Sequence, residues 1–311
     1  MSPAKPKNLA ASVRQRLVNL SQQRGEEFQF ILSEYAIERL LYRISRSKHS
    51  ERFVLKGAKL FNLWAAHPHR ATWDLDLLSK GEDSVEKLGQ TFREICETPV
   101  EDDGLIFDPA SIRGEEIRAA EEYQGVRLKM IARLARARIP VQVDIGFGDV
   151  VTPAPAIHVY PTLLAFPAPE ILTYSRETVV AEKLEAMLSL GAINSRIKDF
   201  FDIRELALMF EFDGTVLTRA VKETFRRRRT EIPKETPIAL SEEFIDQPGR
   251  QAQWKAFVRK GRLSRETDTL DVVIPRLREF LAPVLAAAAE NKELEAIWKP
   301  GGPWQSSRKK V

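Results

Sequence analysis

The stretch "RATWDLDLLSKG", residues 70–81, sets two acids into an apolar run: Asp74 and Asp76 flank Leu75 and lead into Leu77 and Leu78. On a strand, residues two apart share a face, about 6–7 Å from each other at Cα. Asp74 and Asp76 are therefore expected side by side, with Leu75 and Leu77 turned into a core. Like charges that close repel, and one tends to take up a proton unless a cation intervenes. A divalent ion resolves the repulsion, because hard cations prefer carboxylate oxygens and Mg²⁺ binds through one or two of them plus substrate phosphates. The competing reading is an edge strand with a solvated acidic face.

The flanking sequence favours the metal. Upstream, "FVLKGAKLFNLW" (53–64) reads as a short strand, Phe53-Val54-Leu55, broken by Gly57 before a helix. At such a turn backbone N–H groups can face phosphate oxygens. Lys56, Gly57, Ala58 and Lys59 are the candidate nucleotide-binding residues there. Downstream, "GVRLKMIARL" and "PVQVDIGFGD" alternate apolar and polar residues with the period of two expected of strands. Their short joint, "ARARI", suggests antiparallel neighbours. Asp144 falls on the polar side of the second strand. Beside the first it would complete a three-carboxylate set, Asp74, Asp76 and Asp144, suited to a two-metal phosphoryl-transfer site.

Residues 9–24 and 27–46 read as helices, and "DSVEKLGQTFREICE" (83–97) as an amphipathic one capped by Asp83 or Ser84. Residues 105–108 read as a further strand. From about residue 175 the chain turns helical: 176–190, 196–210, 214–229, 241–260 and 269–297, with "KPGGPWQSSRKKV" as a mobile tail. The expected fold is α+β: a mixed-sheet core with flanking helices, followed by a mostly helical C-terminal half. The boundary is placed in the proline-rich "TPAPAIHVYPTLLAFPAPE" (152–170). That gives a core over 1–165 and a helical domain over 166–311 completing the active-site cleft.

Composition narrows the function classes. The 311 residues are 43% apolar and 30% charged, a soluble globular balance. The single cysteine, Cys96, excludes a disulfide framework or a thiolate metal cluster within the chain. No apolar run has signal-peptide or membrane-spanning character, so a cytoplasmic location and no membrane partner are expected. The net charge of +4 is uneven: residues 213–311 carry 20 Lys and Arg against 14 Asp and Glu. "TFRRRRTEIP" places Arg226, Arg227, Arg228 and Arg229 at a helix end. They either complement the helix dipole or form a candidate RNA backbone contact. His67, His69 and His158 show no metal-ligand spacing.

Two later segments carry chemistry. "YSRETVVAEKLEAMLSLG" should be a helix capped by Ser175, with Lys183 inside the apolar stripe of Val179, Ala186, Met187 and Leu190. A lysine there is costly unless its amine reaches water, a carboxylate or a phosphate; snorkelling is the equal alternative. In "NSRIKDFFDIRELALMF", capped by Asn194 or Ser195, Asp199 borders the buried side at about 100° from Phe200 and Asp202 points away at about 160°. Lys198 and Asp202 are spaced for a surface ion pair. Asp199 is the better candidate.

In "FVLKGAKLFNLW", "RATWDLDLL", "VQVDIGF", "ETVVAEKLEAM" and "SRIKDFFDI", taken in order, the chain resembles the DNA polymerase beta-type nucleotidyltransferases, and within them the AbiEii/AbiGii toxin family. The resemblance spans roughly residues 30–210. Where many relatives carry Gly-Gly-Ser/Thr, this chain has Gly57-Ala58-Lys59, so a lysine stands where a hydroxyl would. The resemblance implies the toxin half of a bacterial toxin–antitoxin pair, with an antitoxin encoded nearby and tRNA or another RNA as acceptor. It implies Mg²⁺ or Mn²⁺ and a nucleoside triphosphate substrate, with Lys183 as a nucleotide contact. It also implies Asp199, the first aspartate of R-x-K-D-x-x-D, as the one associated with activity. The expected catalytic set is Asp74, Asp76, Lys183 and Asp199. Two rivals stand beside it: a transferase of the same fold acting on a small molecule or protein, and a catalytically idle member that binds RNA or a partner.

Overall fold

Leu75 and Leu77 are fully buried and Asp74 and Asp76 half-buried, so Asp74–Ser79 is a strand with the alternation its sequence implies. The computed structural model describes residues 8–65, 70–81, 84–119, 123–190, 196–261 and 269–307. The chain forms two units, Met1–Gly148 with Ala156–Thr173 and Asp149–Pro155 with Tyr174–Val311. The return of Ala156–Thr173 makes the division interleaved instead of a cut at one position.

In the first unit, helices α1 (Leu9–Arg24) and α2 (Phe28–Arg46) precede β1 (Phe53–Lys56). A 3₁₀ turn, Gly57–Leu60, and the short α3 (Phe61–Trp64) lead to β2 (Asp74–Ser79) and α4 (Val85–Cys96). Then come β3 (Leu105–Ala119), β4 (Tyr123–Leu134), β5 (Ala137–Phe147), β6 (Ala156–Val159) and β7 (Glu170–Thr173). They make one mixed seven-stranded sheet in the order β3-β4-β5-β2-β1-β7-β6. The α+β class is the one the sequence predicts. β3 runs well past the expected 105–108, because a register irregularity between Asp108 and Arg113 lets it resume pairing beyond Pro109. Ser84 caps α4 by accepting from the Lys87 N–H at 3.2 Å; Asp83, the other candidate cap, lies outside the described residues.

α2 is buried nearly all round, so its polar side chains need partners. Arg43 clasps Asp103 through both guanidinium ends at 2.8 and 3.2 Å, and Arg39 meets Glu38 at 2.8 Å. Burial pushes the Glu38 carboxyl up to about 7, against the opposing pull of Arg39 and the Leu163 N–H. A carboxyl that holds its proton more tightly when folded makes the native state bind more protons than the unfolded chain. Stability then falls as pH rises between the ordinary carboxylate value and about 7. Urea unfolding from pH 5 to 8 is expected to cost the wild type about 3 kcal/mol relative to Glu38→Gln, which lacks the titrating group. A pH-independent difference between the two proteins would contradict this.

The second unit holds α5 (Arg176–Leu190), α6 (Ile197–Met209), β8 (Phe212–Asp213), α7 (Gly214–Arg227), α8 (Glu242–Asp246), α9 (Arg250–Lys260), α10 (Leu270–Ala289), β9 (Ala296–Trp298) and β10 (Trp304–Ser306). Ser175 caps α5 as expected, accepting from the Thr178 N–H at 3.1 Å. The expected helix 241–260 is two helices, divided at Gly249 with φ +82°. Within the segment expected to be mobile, Trp304–Ser306 form strand β10. β10 pairs with β9, and Trp304 stacks on Phe280 at 5.8 Å while its indole N–H donates to the Phe280 carbonyl at 3.0 Å. Trp304 and buried Trp298, their rings 5.5 Å apart, supply the apolar area that holds this segment.

Candidate active site

Strand register puts the charged residues of the first unit in one row. β1 pairs with β2 so that Lys56 lies opposite Asp76; β2 runs parallel to β5 with Asp76 opposite Asp144; β5 pairs with β4 with Asp144 opposite Arg127. Directly opposed residues share a face of the sheet. Lys56, Asp76, Asp144 and Arg127 therefore alternate as one cation, two anions and one cation across four strands, with Asp74 one step along β2. Asp76 therefore has the cation Lys56 opposite it on β1 and the anion Asp144 opposite it on β5, with Arg127 one strand further on.

Arg127 closes this row. Its Nε and Nη2 donate to Asp144 Oδ1 and Oδ2 at 2.8 and 2.7 Å, a two-pronged clasp. That hydrogen bonding to Asp144 raises the guanidinium above its ordinary value, with Asp74 and Glu115 adding to it and partial burial opposing. Arg127 is not among the residues singled out from sequence, although it lies on the polar side of β4's alternation. Arg127→Met is expected to lower the unfolding free energy by about 1–2 kcal/mol, since it leaves Asp144 beside Asp76 without its cation. Arg127→Lys should recover less than half, because an ammonium cannot reproduce the planar fork. Urea titration of the three proteins checks both, and full recovery by lysine would remove the fork from the account.

Gly57 controls the other flank. Its φ is +72°, and a Cβ added there would lie 2.1 Å from Asp76 Oδ2. The residue is glycine for its backbone conformation and for the close approach of the Asp76 carboxylate. Lys56 is half-buried, Ala58 is buried, and Lys59 is placed differently from its sequence expectation. The Lys59 side chain is fully buried, its amine paired with Glu34 and donating to the Thr72 carbonyl at 2.8 Å. It thereby ties α2 to the segment entering β2, and its charge is engaged with Glu34. Glu34 has no signal in the sequence, since nothing local pairs it with a lysine 25 positions away.

As a metal set these residues fit in part. Asp74 and Asp76 share a face, and two carboxylates with substrate phosphates suffice for Mg²⁺. Asp144 stands beside them in register, but both its oxygens are engaged by Arg127. Among the described residues, no three His, Cys, Asp or Glu side chains are grouped to hold an ion.

The second unit holds a separate cluster. Lys183 Nζ sits 2.7 Å from Asp199 Oδ1 and 2.7 Å from Asp202 Oδ2, and Arg196 Nε is 2.7 Å from Asp199 Oδ2. Both aspartates are fully buried. Asp202 thus differs from its expected outward direction. A helical wheel gives α6 one solvent-facing side, whereas Ile197, Asp199, Phe200, Phe201, Asp202 and Ile203 are all buried. Lys183 meets the requirement its apolar stripe imposes, by reaching carboxylates. Asn194 and Ser195 lie outside the described residues.

Of the arginine run, Arg226, Arg227 and Arg229 are exposed. Arg228 is half-buried and turns inward, 2.7 Å from Glu185 Oε2 and 3.2 Å from Asp149 Oδ1, so its guanidinium is engaged by carboxylates within the second unit. Burial opposes its charge, yet Glu182, Asp149 and Glu185 hold the guanidinium above its ordinary value. His158, on β6, has its Nδ1 2.9 Å from Thr173 Oγ1 on β7, a contact between neighbouring strands. His67 and His69 fall outside the described residues.

Asp74 and Asp76 on β2, the Gly57 turn against the Asp76 carboxylate, and Asp144 opposite Asp76 on β5 thus lie together in the first unit. Comparison with family models matches residues 39–283 to the family described as nucleotidyl transferase AbiEii toxin, of a type IV toxin–antitoxin system. The match covers most of the chain, and the chain belongs to that family. Two crystal structures from Helicobacter pylori are similar in shape. JHP933 is 12% identical with a TM-score of 0.47, covering 85% of this chain and 95% of that one. A "putative nucleotidyltransferase" is 12% identical with a TM-score of 0.45, covering 85% of this chain and 98% of that one. No curated protein sequence matches. Among the described residues, no helix is long and apolar enough to cross a membrane.

Proposed function

We propose that the chain is a metal-dependent toxin that transfers a nucleotide from a nucleoside triphosphate to an RNA acceptor such as tRNA, and that an antitoxin encoded nearby is its partner. The observation that carries this reading is the contact between the Gly57 turn and the Asp76 carboxylate, within a row that also holds Asp144. Asp74 and Asp76 would hold Mg²⁺ or Mn²⁺, which supplies charge neutralisation at the phosphates. Gly57, free of a side chain, leaves room for the Asp76 carboxylate beside a turn whose backbone N–H groups would face the phosphates, and Lys56 adds positive charge. The acceptor hydroxyl oxygen bonds to the α-phosphorus as the bond to the bridging oxygen breaks. Pyrophosphate leaves with that electron pair. Asp144, fixed by Arg127, accepts the hydrogen bond of the attacking hydroxyl and takes its proton as the new bond to phosphorus forms. Positioning and charge, not a covalent intermediate, provide the rate.

Lys183 is assigned to the nucleotide, with Asp199 and Asp202 fixing its amine. Arg226, Arg227 and Arg229 are assigned to the RNA backbone. The test offers the purified protein each labelled nucleoside triphosphate with Mg²⁺ and total tRNA. Label in a product destroyed by ribonuclease and resistant to protease supports the reading. Label destroyed by protease, or none with any triphosphate, overturns it.

A further inference from the structure

β5 begins at Ala137, well before Gln142, where β2 joins it at Asp74. β3 and β4 run alongside that extension, so a three-stranded ribbon continues about 17 Å past the start of the carboxylate strand. One face of the ribbon packs inward, with Phe107, Met130, Ala132, Ile139 and Val141 buried. The other is the face that carries Asp74, Asp76 and Asp144, because directly opposed residues share a side of the sheet. On it Arg113 and Lys129 lie in one row with Gln142 and Asp74, and Arg133 lies opposite Arg138. All four cations are exposed. The acids beside them are Glu115, 2.8 Å from the Lys129 amine, and Asp108, 3.7 Å from Arg133. The balance is positive. Ile106, opposite Arg133 and 69% exposed, sets an apolar side chain among the cations. A polar outer face is ordinary for antiparallel strands. This one differs in its sign and in running without a break into the row of Asp74.

We infer that the polar face of this ribbon holds the phosphodiester backbone of the RNA acceptor while its terminal hydroxyl reaches the carboxylate pair, a role that rests on the proposed transferase reading. Neighbours on one sheet face stand about 5–7 Å apart, along a strand or across it. That is close to the step between successive phosphates of a nucleic-acid strand, so Arg113, Lys129, Arg133 and Arg138 each meet a different one. The Lys129–Glu115 and Arg133–Asp108 pairs are exposed and contribute little to folding, which leaves their cations available to phosphate. Contacts of this kind position a strand without reading its bases. The spread of the cations argues for a polyanion. A small molecule or a hydroxyl side chain at Asp74 would meet the nearest of them and leave Arg133 and Arg138 unused.

The test compares the full chain with Arg133→Gln/Arg138→Gln and Arg113→Gln/Lys129→Gln, exposed positions outside the carboxylate pair. Binding of total tRNA is measured across a range of salt, and label transfer across a range of tRNA and of triphosphate. Each double variant is expected to bind tRNA roughly ten- to hundredfold more weakly at low salt, and its dependence of log affinity on log salt should be shallower by about 1–2. KM for tRNA should rise by a similar factor, while KM for the triphosphate and transfer at saturating tRNA stay as in wild type. Arg133→Lys/Arg138→Lys should keep most of the binding, since a point charge suffices for phosphate. Wild-type affinity and salt dependence in either glutamine variant overturn the inference, and label transfer by the wild type then leaves the transferase reading standing. A raised KM for the triphosphate also overturns it, because the substitutions would then act through the carboxylate strand. A wild type that transfers no label with any triphosphate sinks the transferase reading and the acceptor role with it.

Discussion

Replacing Gly57 with alanine is expected to cost about 2–5 kcal/mol of stability and to abolish nucleotide transfer. Two penalties combine. A left-handed backbone costs an ordinary residue about 1–2 kcal/mol, and Gly57 has φ +72°. The added Cβ would also lie 2.1 Å from Asp76 Oδ2 and 2.8 Å from its Cβ and Cγ, so the β2 carboxylate must be displaced. Gly25 provides an internal control. Its φ is +64°, but nothing lies within 4 Å of an added Cβ, so Gly25→Ala should incur the backbone penalty alone and leave transfer intact. Urea unfolding and label transfer on both variants separate the terms. Equal destabilisation at the two positions would show that the close approach to Asp76 does not matter.

Asp76→Asn is expected to reduce transfer roughly 10²- to 10³-fold, the loss of several kcal/mol of charge stabilisation at the phosphates. Its stability should stay within about 1 kcal/mol of wild type, because the substitution keeps the side-chain shape and relieves repulsion from Asp74 and Asp144 while losing attraction to Lys56. Asp74→Asn should behave alike. A variant that folds normally yet transfers nucleotide at the wild-type rate would remove these carboxylates from the chemistry.

Much of this site could be read in the sequence, and the rest fails for identifiable reasons. The alternation of Asp74, Leu75, Asp76 and Leu77 announces a strand with paired acids on one face, and Gly57 announces a turn. The Arg127–Asp144 clasp was within reach too. The two-residue joint Ala135-Arg136 sets Leu134 opposite Ala137, and equal steps back along each strand bring Arg127 opposite Asp144. Counting register, not only noting an antiparallel pair, would have found it. Asp202 was misplaced because α6 is covered on its polar side as well, which a helical wheel cannot see. Glu34 and Phe30 were invisible for a different reason: they lie on α2, and their meeting with Lys59 and Trp73 is set by tertiary packing. Strand β10 shows the same limit, since Trp304 gains its burial from Phe280, distant in sequence.

What everything else requires is that the side-by-side acids of β2 take a divalent ion together with the triphosphate. Crystals soaked with Mn²⁺ and a non-hydrolysable ATP analogue test this most directly, through the anomalous signal of the metal. The expected result is a peak shared by the Asp74 and Asp76 carboxylates with the phosphates alongside, absent in Asp76→Asn. Triphosphate bound elsewhere, or those carboxylates without a metal peak, would contradict the account.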